Sequence, residues 1–121
     1  MEEQLISFET AKLAKEKGFT YAYTFYNESG KLENFGMVGG WSNCNKNNYA
    51  APTQSLLQKW LREIHNIHLV CWWYDEEDKF YTELGRKTKE KIFVQCGNTT
   101  LLFNTYEEAL EEGLKHALNL I

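Results

Sequence analysis

Tyr49-Ala50-Ala51-Pro52-Thr53-Gln54-Ser55-Leu56-Leu57-Gln58-Lys59-Trp60-Leu61-Arg62-Glu63-Ile64-His65-Asn66 reads as a helix with a marked start, an apolar face and an abrupt stop. At helical spacing Leu56, Leu57, Trp60, Leu61 and Ile64 fall on one arc, while Gln58, Lys59, Arg62 and Glu63 fill the other. Pro52 suits a first helical turn, where its missing N–H would have had no partner. Thr53 is the nearest good N-cap, since its hydroxyl can accept from a free N–H one turn in. Five large apolar residues on one arc need something flat to lie on. The aromatic segments on either side have the pattern of strands, so this stretch decides for an α+β domain.

Before it, Ser7 is an N-cap candidate for a helix over 8–17 that Gly18 stops, with Ala11 and Ala14 as a small buried face. Residues 20–26 alternate Tyr21, Tyr23 and Phe25 against Thr20, Ala22, Thr24 and Tyr26, the period of a strand. Asn27-Glu28-Ser29-Gly30 is a turn, with residues 31–35 as a short return strand. Gly36 to Asn48, rich in Gly and Asn, reads as a long loop, and long ordered loops are often functional.

After the central helix, residues 67–74 form an apolar and aromatic run read as an inner strand. Asp75-Glu76-Glu77-Asp78 is an acidic turn and 79–84 the returning strand. A further strand is expected over 92–96, with Gly97-Asn98 as a hairpin turn and 99–103 as its partner. In the last helix Thr105 and Glu108 form a capping box. Tyr106, Ala109, Leu110, Gly113, Leu114, Ala117, Leu118 and Ile121 share one half of its wheel. The whole predicts a single domain over 1–121, with an antiparallel or mixed sheet of about four to six strands and three helices mostly on one face.

Composition narrows the function classes. The 121 residues carry 13 basic and 17 acidic side chains, a net charge of −4. Phosphate-backbone binders depend on clustered Lys and Arg, so generic nucleic-acid binding is not expected. The one dense basic run, Arg86-Lys87-Thr88-Lys89-Glu90-Lys91, reads as a solvated loop. Aromatic residues make up 15% of the chain, a high load for a small domain. Cys44, Cys71 and Cys96 lack CxxC spacing, no signal-peptide pattern opens the chain, and no run approaches the ~20 apolar residues of a membrane span. The expectation is a cytoplasmic protein with reduced thiols.

Three blocks carry a resemblance: 7–19 (SFETAKLAKEKGF), 49–67 (YAAPTQSLLQKWLREIHNI) and 104–114 (NTYEEALEEGL). Together, over about a third of the chain, they resemble a group of small proteins from gut Bacteroidetes and their phages or prophages. The resemblance implies a phage-type accessory protein, located in the bacterial host cytosol if phage-encoded. It brings no activity and no catalytic residue with it.

Each candidate site stands beside a plainer explanation. His65 and His68, with Cys71 and Cys96, could be assembled into a zinc set. But an extended 67–74 points His68 and Cys71 to opposite faces, so no metal is expected. Cys44, in a polar loop, is the cysteine to consider as a nucleophile, yet nothing in sequence supplies its base. Gly36-Met37-Val38-Gly39-Gly40 lacks the Gly-Lys-Ser/Thr of a phosphate loop. The four carboxylates of the acidic turn diverge and lack calcium-loop spacing.

The aromatic set weighs most. Trp41 and Tyr49 bracket the Asn-rich loop, and Trp72 and Trp73 point to opposite faces of their strand. If helices cover one face only, one Trp lies on the open face beside Tyr rings. Such a platform can stack a base or anchor a homodimer.

The expected function is a non-enzymatic binding protein, with a homodimer possible. Its ligand would be a nucleotide signal of host defence, sequestered through Trp41, Asn43, Lys46, Tyr49, Trp72, Tyr81 and Arg86, without cofactor or metal. Two alternatives stay open. One is a protein inhibitor that occupies a host factor through an acidic and aromatic face. The other is a small hydrolase dependent on Cys44 or a His.

Overall fold

The computed structural model describes residues 3–33, 41–87, 93–98 and 101–121, with backbone alone for 87 and 93–98. It is an α+β protein whose described strands pair antiparallel throughout. The chain divides into two compact units, Met1–Thr53 and Gln54–Ile121. No described helix is long and apolar enough to cross a membrane.

The first unit opens with α1 (Phe8–Glu16). Ser7 caps it, its side chain accepting from the Thr10 N–H at 3.2 Å. Gly18, at φ +103°, closes it: the Phe19 N–H reaches Ala14 O at 2.9 Å and the Gly18 N–H reaches Lys15 O at 3.1 Å. That pair of bonds satisfies carbonyls the last turn would otherwise leave unpaired. The buried face of α1 is Thr10, Ala11 and Ala14. The helix packs against β5.

Residues 20–26 do not form one strand. They divide into β1 (Tyr21–Ala22) and β2 (Phe25–Asn27), separated by a bend at Tyr23 and Thr24. The bend breaks the period of two, so Ala22 and Phe25 are both buried while Tyr21 and Tyr23 are exposed. β1 pairs with β4 (Ser42–Asn43), and β2 lies between β3 (Leu32–Glu33) and β5 (Asn48–Ala50). The Asn-rich stretch is therefore partly ordered as two short strands about a turn at Lys46 and Asn47. Residues 36–40, with the glycine-rich motif, and the return strand's 34–35 lie outside the described residues.

The second unit begins with α2 (Gln54–His65). Thr53 sits at the N-cap position, but its backbone bridges Leu5 in extended form. Pro52 thus precedes the helix, its carbonyl accepting from the Ile6 N–H at 3.0 Å. Asn66, at φ +56°, turns the chain directly into β6 (Ile67–Tyr74). The buried stripe of α2 is narrower than its apolar arc. Leu57 and Leu61 are fully buried, whereas Ile64 is 63% exposed. Within this unit α2 packs on one edge strand, β6, and on α3, so only a narrow stripe meets another surface. Gln54, a polar residue, completes that stripe: its amide donates to Glu107 O and Glu111 Oε1, both at 2.9 Å.

β7 (Lys79–Lys87) lies between β6 and β8 (Phe93–Asn98). Gly97 and Asn98 are not a hairpin turn; they pair with Leu84 and Glu83 and extend β8. Nor do residues 101–103 form a partner strand for it. Phe103 instead exchanges two 2.8 Å backbone bonds with Phe80. Among the described residues the expected single sheet is thus three small ones, of two, three and three strands. The bend after β1 and the shortness of β1 to β5 prevent long ladders from forming.

α3 (Tyr106–Leu118) is as its pattern dictates, with Thr105 accepting from the Glu108 N–H at 3.1 Å. It lies across β6 and β7. A Cβ at Gly113 would come within 2.7 Å of both Leu69 Cδ1 and Thr82 Oγ1, so this glycine sets how closely helix and sheet approach.

Candidate functional site

The β6–β7 ladder assigns every side chain on the hairpin to a face. Cα partners run from Ile67↔Arg86 to Tyr74↔Lys79, and successive side chains alternate. Ile67, Leu69, Cys71 and Trp73, with Phe80, Thr82, Leu84 and Arg86, share the side that α3 covers. His68, Val70, Trp72 and Tyr74, with Lys79, Tyr81 and Glu83, share the other, which no described element of this unit covers. Val70 is 42% and Trp72 47% exposed there. Trp73 is 59% exposed on the helix side, near the tip of the hairpin. Both Trp72 and Trp73 therefore reach solvent.

Asp75 to Asp78 join the two strands as a turn, with Asp78 at φ +52°. The turn fixes its aromatic neighbours. The Trp73 indole N–H donates to Asp78 Oδ1 at 2.9 Å, and the Tyr74 hydroxyl donates to Glu76 Oε2 at 2.8 Å. The Glu76 bond, then loss of water, then the Glu77 and Asp75 carboxylates push the Tyr74 phenol above its ordinary pKa. Among the described residues none of these four carboxylates has a Lys, Arg or His in ion-pair range. The tip is a dense negative charge rimmed by exposed rings.

Backbone direction adds a second feature. Phe80 turns its N–H and C=O toward Phe103, away from β6. By the alternation of an antiparallel ladder, Lys79, Tyr81, Glu83 and Gly85 then bond β6, through Tyr74, Trp72, Val70 and His68. The N–H and C=O of Leu69, Cys71 and Trp73 consequently point off the outer edge. The Gln58 amide takes Leu69 O at 2.7 Å, in keeping with that direction. Among the described residues the outward backbone groups of Cys71 and Trp73 have no partner.

The expected ligand residues do not form one cradle within either unit. Trp72 and Tyr81 are cross-strand neighbours on the open face. Arg86 is on the opposite side, its Nη2 donating to Leu120 O at 3.0 Å, so it holds the chain just after α3 and does not serve that face. Trp41, Asn43, Lys46 and Tyr49 belong to the first unit. There Trp41 stacks on Tyr21 (centroids 5.8 Å apart, planes 19° apart) and meets Tyr23 edge-on. Asn43 Oδ1 accepts from the Thr20 hydroxyl at 3.1 Å, and Lys46 is exposed in the turn. Tyr49 belongs to another cluster, edge-on to Phe8 at 5.5 Å with the Lys15 ammonium 4.7 Å over its ring.

The Asn-rich turn lines a polar recess of about 440 Å³ with Asn27, Glu28, Ser29, Glu33, Asn45, Asn47 and Asn48. Its amides are largely committed to backbone. Asn27 Oδ1 accepts from Ser29 N, Ser29 Oγ and Lys31 N. Asn48 Oδ1 accepts from Asn45 N, and Asn45 Oδ1 from Asn47 N. Lys15 ties the turn to α1, donating to Asn45 O at 2.6 Å and Asn48 O at 2.8 Å.

Cys71 offers little nucleophilic chemistry. Burial, and then the Glu107 carboxylate, push the Cys71 thiol to about 11, which keeps it protonated at neutral pH. It is half-buried beside the first turn of α3, its Sγ 3.8 Å from Tyr106 O, and so is less enclosed than a core residue. Cys44 is also free and half-buried. The Cys96 side chain and residues 88–91 of the basic run lie outside the described residues. The signals that composition missed are the outward amides beside Trp72 and the bonds that lock Trp73 and Tyr74 to the acidic turn. Only the strand register reveals the first.

In comparisons with protein families, characterised proteins and solved structures, nothing matches this chain.

Proposed function

We propose that the chain is a non-enzymatic binding protein of the phage accessory type, and that its β6–β7 hairpin recognises a basic surface on a protein partner of the host. The observation that carries this reading is the hairpin tip, where Asp75–Asp78 lack ion-pair partners among the described residues beside exposed Trp72, Trp73 and Tyr74. Carboxylates held next to aromatic rings suit Arg and Lys, which pair with the charge and lie over the rings. Trp and Tyr supply contact area at low entropic cost, and the unsatisfied charge steers a basic partner and rejects an acidic one.

A second reading, sequestration of a nucleotide, rests on the Tyr21–Trp41 stack in the first unit. Both rings are about half exposed, so an outer π-face can take a base, with Asn43 in the adjacent strand for its edge.

Native mass spectra separate the two. Under the first reading a basic peptide is retained, and retention is lost when Asp75→Asn, Glu76→Gln, Glu77→Gln and Asp78→Asn are combined. Under the second, a mixture of linear and cyclic nucleotides leaves an adduct that Trp41→Ala abolishes. Retention of neither counts against binding at both places.

A further inference from the structure

We infer that the partner's contacting segment is an extended basic strand that adds to the outer edge of β6 alongside Cys71 and Trp73. The inference rests on the hairpin reading above and adds the mode of recognition and the chemistry of the segment.

A strand edge with unpaired N–H and C=O groups is a template for another strand, and proteins that leave such an edge open often bind peptides by strand addition. Here the outward groups of Cys71 and Trp73 are four hydrogen-bonding groups in register, two donors and two acceptors. No proline interrupts β6. Gln58 occupies Leu69 O, so pairing is confined to the half of the strand nearest the turn. The free edge and the acidic cluster therefore coincide.

Charge then selects the occupant. A strand antiparallel to β6 continues the antiparallel pattern of this sheet and brings its N-terminal residues beside Asp75–Asp78. Those residues should be Arg or Lys. The following residues run past Trp72 and Val70 on the open face and past Cys71 and Trp73 on the other, where apolar and β-branched side chains fit both sides. The partner segment is basic at its N-terminal end and alternates apolar and β-branched residues after it.

A capped synthetic peptide, Arg-Lys-Arg-Val-Thr-Val-Thr-Val, is the probe, titrated against the full chain by calorimetry. Two N-methylated versions carry methyl groups on alternate residues, in one phase or the other. Strand addition predicts that one phase weakens binding by roughly tenfold or more, through loss of edge hydrogen bonds, while the other binds like the parent. It also predicts weaker binding of the reversed order, Val-Thr-Val-Thr-Val-Arg-Lys-Arg. Equal affinity in both phases, weak or strong, overturns strand addition and leaves the hairpin reading standing as a contact through side chains. Parent affinity unchanged by the fourfold neutralisation of Asp75–Asp78 overturns the hairpin reading itself, as does no binding of any basic peptide. A dimer that the peptide fails to dissociate, and in which the Cys71 and Trp73 amides are protected from hydrogen exchange, would put a second copy on this edge and overturn the assignment.

Discussion

The polar turns of the two units look alike in sequence and differ in what their side chains do. The asparagine turns of the first unit, at Asn27–Gly30 and Asn45–Asn48, direct their amides inward onto backbone N–H groups. Asx side chains do this readily, since they mimic a backbone carbonyl two residues along. Among the described residues, the acidic turn of the second unit receives only the Trp73 indole and the Tyr74 hydroxyl. Neither cancels its charge. One set of polar groups holds the fold; the other is left for something outside it. Richness in amides or rings alone does not mark a site. What matters is which of those groups the fold has already engaged.

The contrast is sharpest in stability. Asn27→Ala removes three accepted bonds and the donation from Nδ2 to Glu33, and should cost about 1–3 kcal/mol in urea unfolding. Asn27→Asp keeps the acceptors but sets a carboxylate against Glu33, so it should recover only part of that. If Asn27→Ala is neutral, the turn does not depend on its amide and the first half of the comparison fails. Lys15→Met retains the stem over Tyr49 but loses both bonds to the Asn45–Asn48 carbonyls. At a partly solvated site about 1 kcal/mol is expected.

The acidic turn should respond in the other sense. Asp75→Asn with Glu77→Gln removes mutual repulsion and no hydrogen bond found among the described residues, so stability should stay within about 0.5 kcal/mol of the parent or rise. A loss above about 2 kcal/mol would mean that these carboxylates support the fold and are not free for a partner. The smallest effect is on titration. The Tyr74 phenol ionises above its ordinary range because its neutral form donates to Glu76, so Glu76→Gln should bring that ionisation down in an ultraviolet titration. The sign follows from the raised folded pKa: the Tyr74–Glu76 bond is present below the unfolded pKa and is lost as pH rises through the folded one. An unchanged titration would remove Glu76 as its partner.

Much of this was legible in sequence where one local rule governs. Ser7 and Thr105 cap their helices, Gly18 stops α1, and Asp75–Asp78 is the hairpin tip, because each depends on neighbours a few residues away. The α+β class follows from the same periodicities. The first failure is at Tyr23 and Thr24, where an alternating aromatic segment bends and its two halves take different partners. The second is at Gly97 and Asn98, a dipeptide with turn chemistry that the ladder with β7 holds extended. Both are cases of tertiary pairing overriding local preference. Ile64 was expected at the core because its arc was apolar, but a helix packed on one strand and one helix buries only a stripe.

For the site, alternation set Trp72 and Trp73 on opposite faces without telling which one lies beside a Tyr ring, and the ladder pairs Trp72 with Tyr81. Sequence did not separate Arg86 from them, because Arg86 reads as part of a basic loop after residue 84, whereas β7 continues through it to Lys87 and alternation turns it to the other side. Trp41 and Tyr49 bracket the same loop yet belong to different ring clusters, one with Tyr21 and the other with Phe8 and Lys15. Composition identified the rings but not their neighbours.

The most direct test of the contrast between engaged and free polar groups is a nitrogen–proton correlation spectrum of the labelled protein, titrated with the basic peptide Arg-Lys-Arg-Val-Thr-Val-Thr-Val. The account predicts progressive shifts at Cys71, Trp73 and Asp75–Asp78 and at the Trp73 indole, with Asn27–Gly30 and Asn45–Asn48 unmoved. Shifts confined to the asparagine turns or to Trp41, with a silent hairpin, would contradict it.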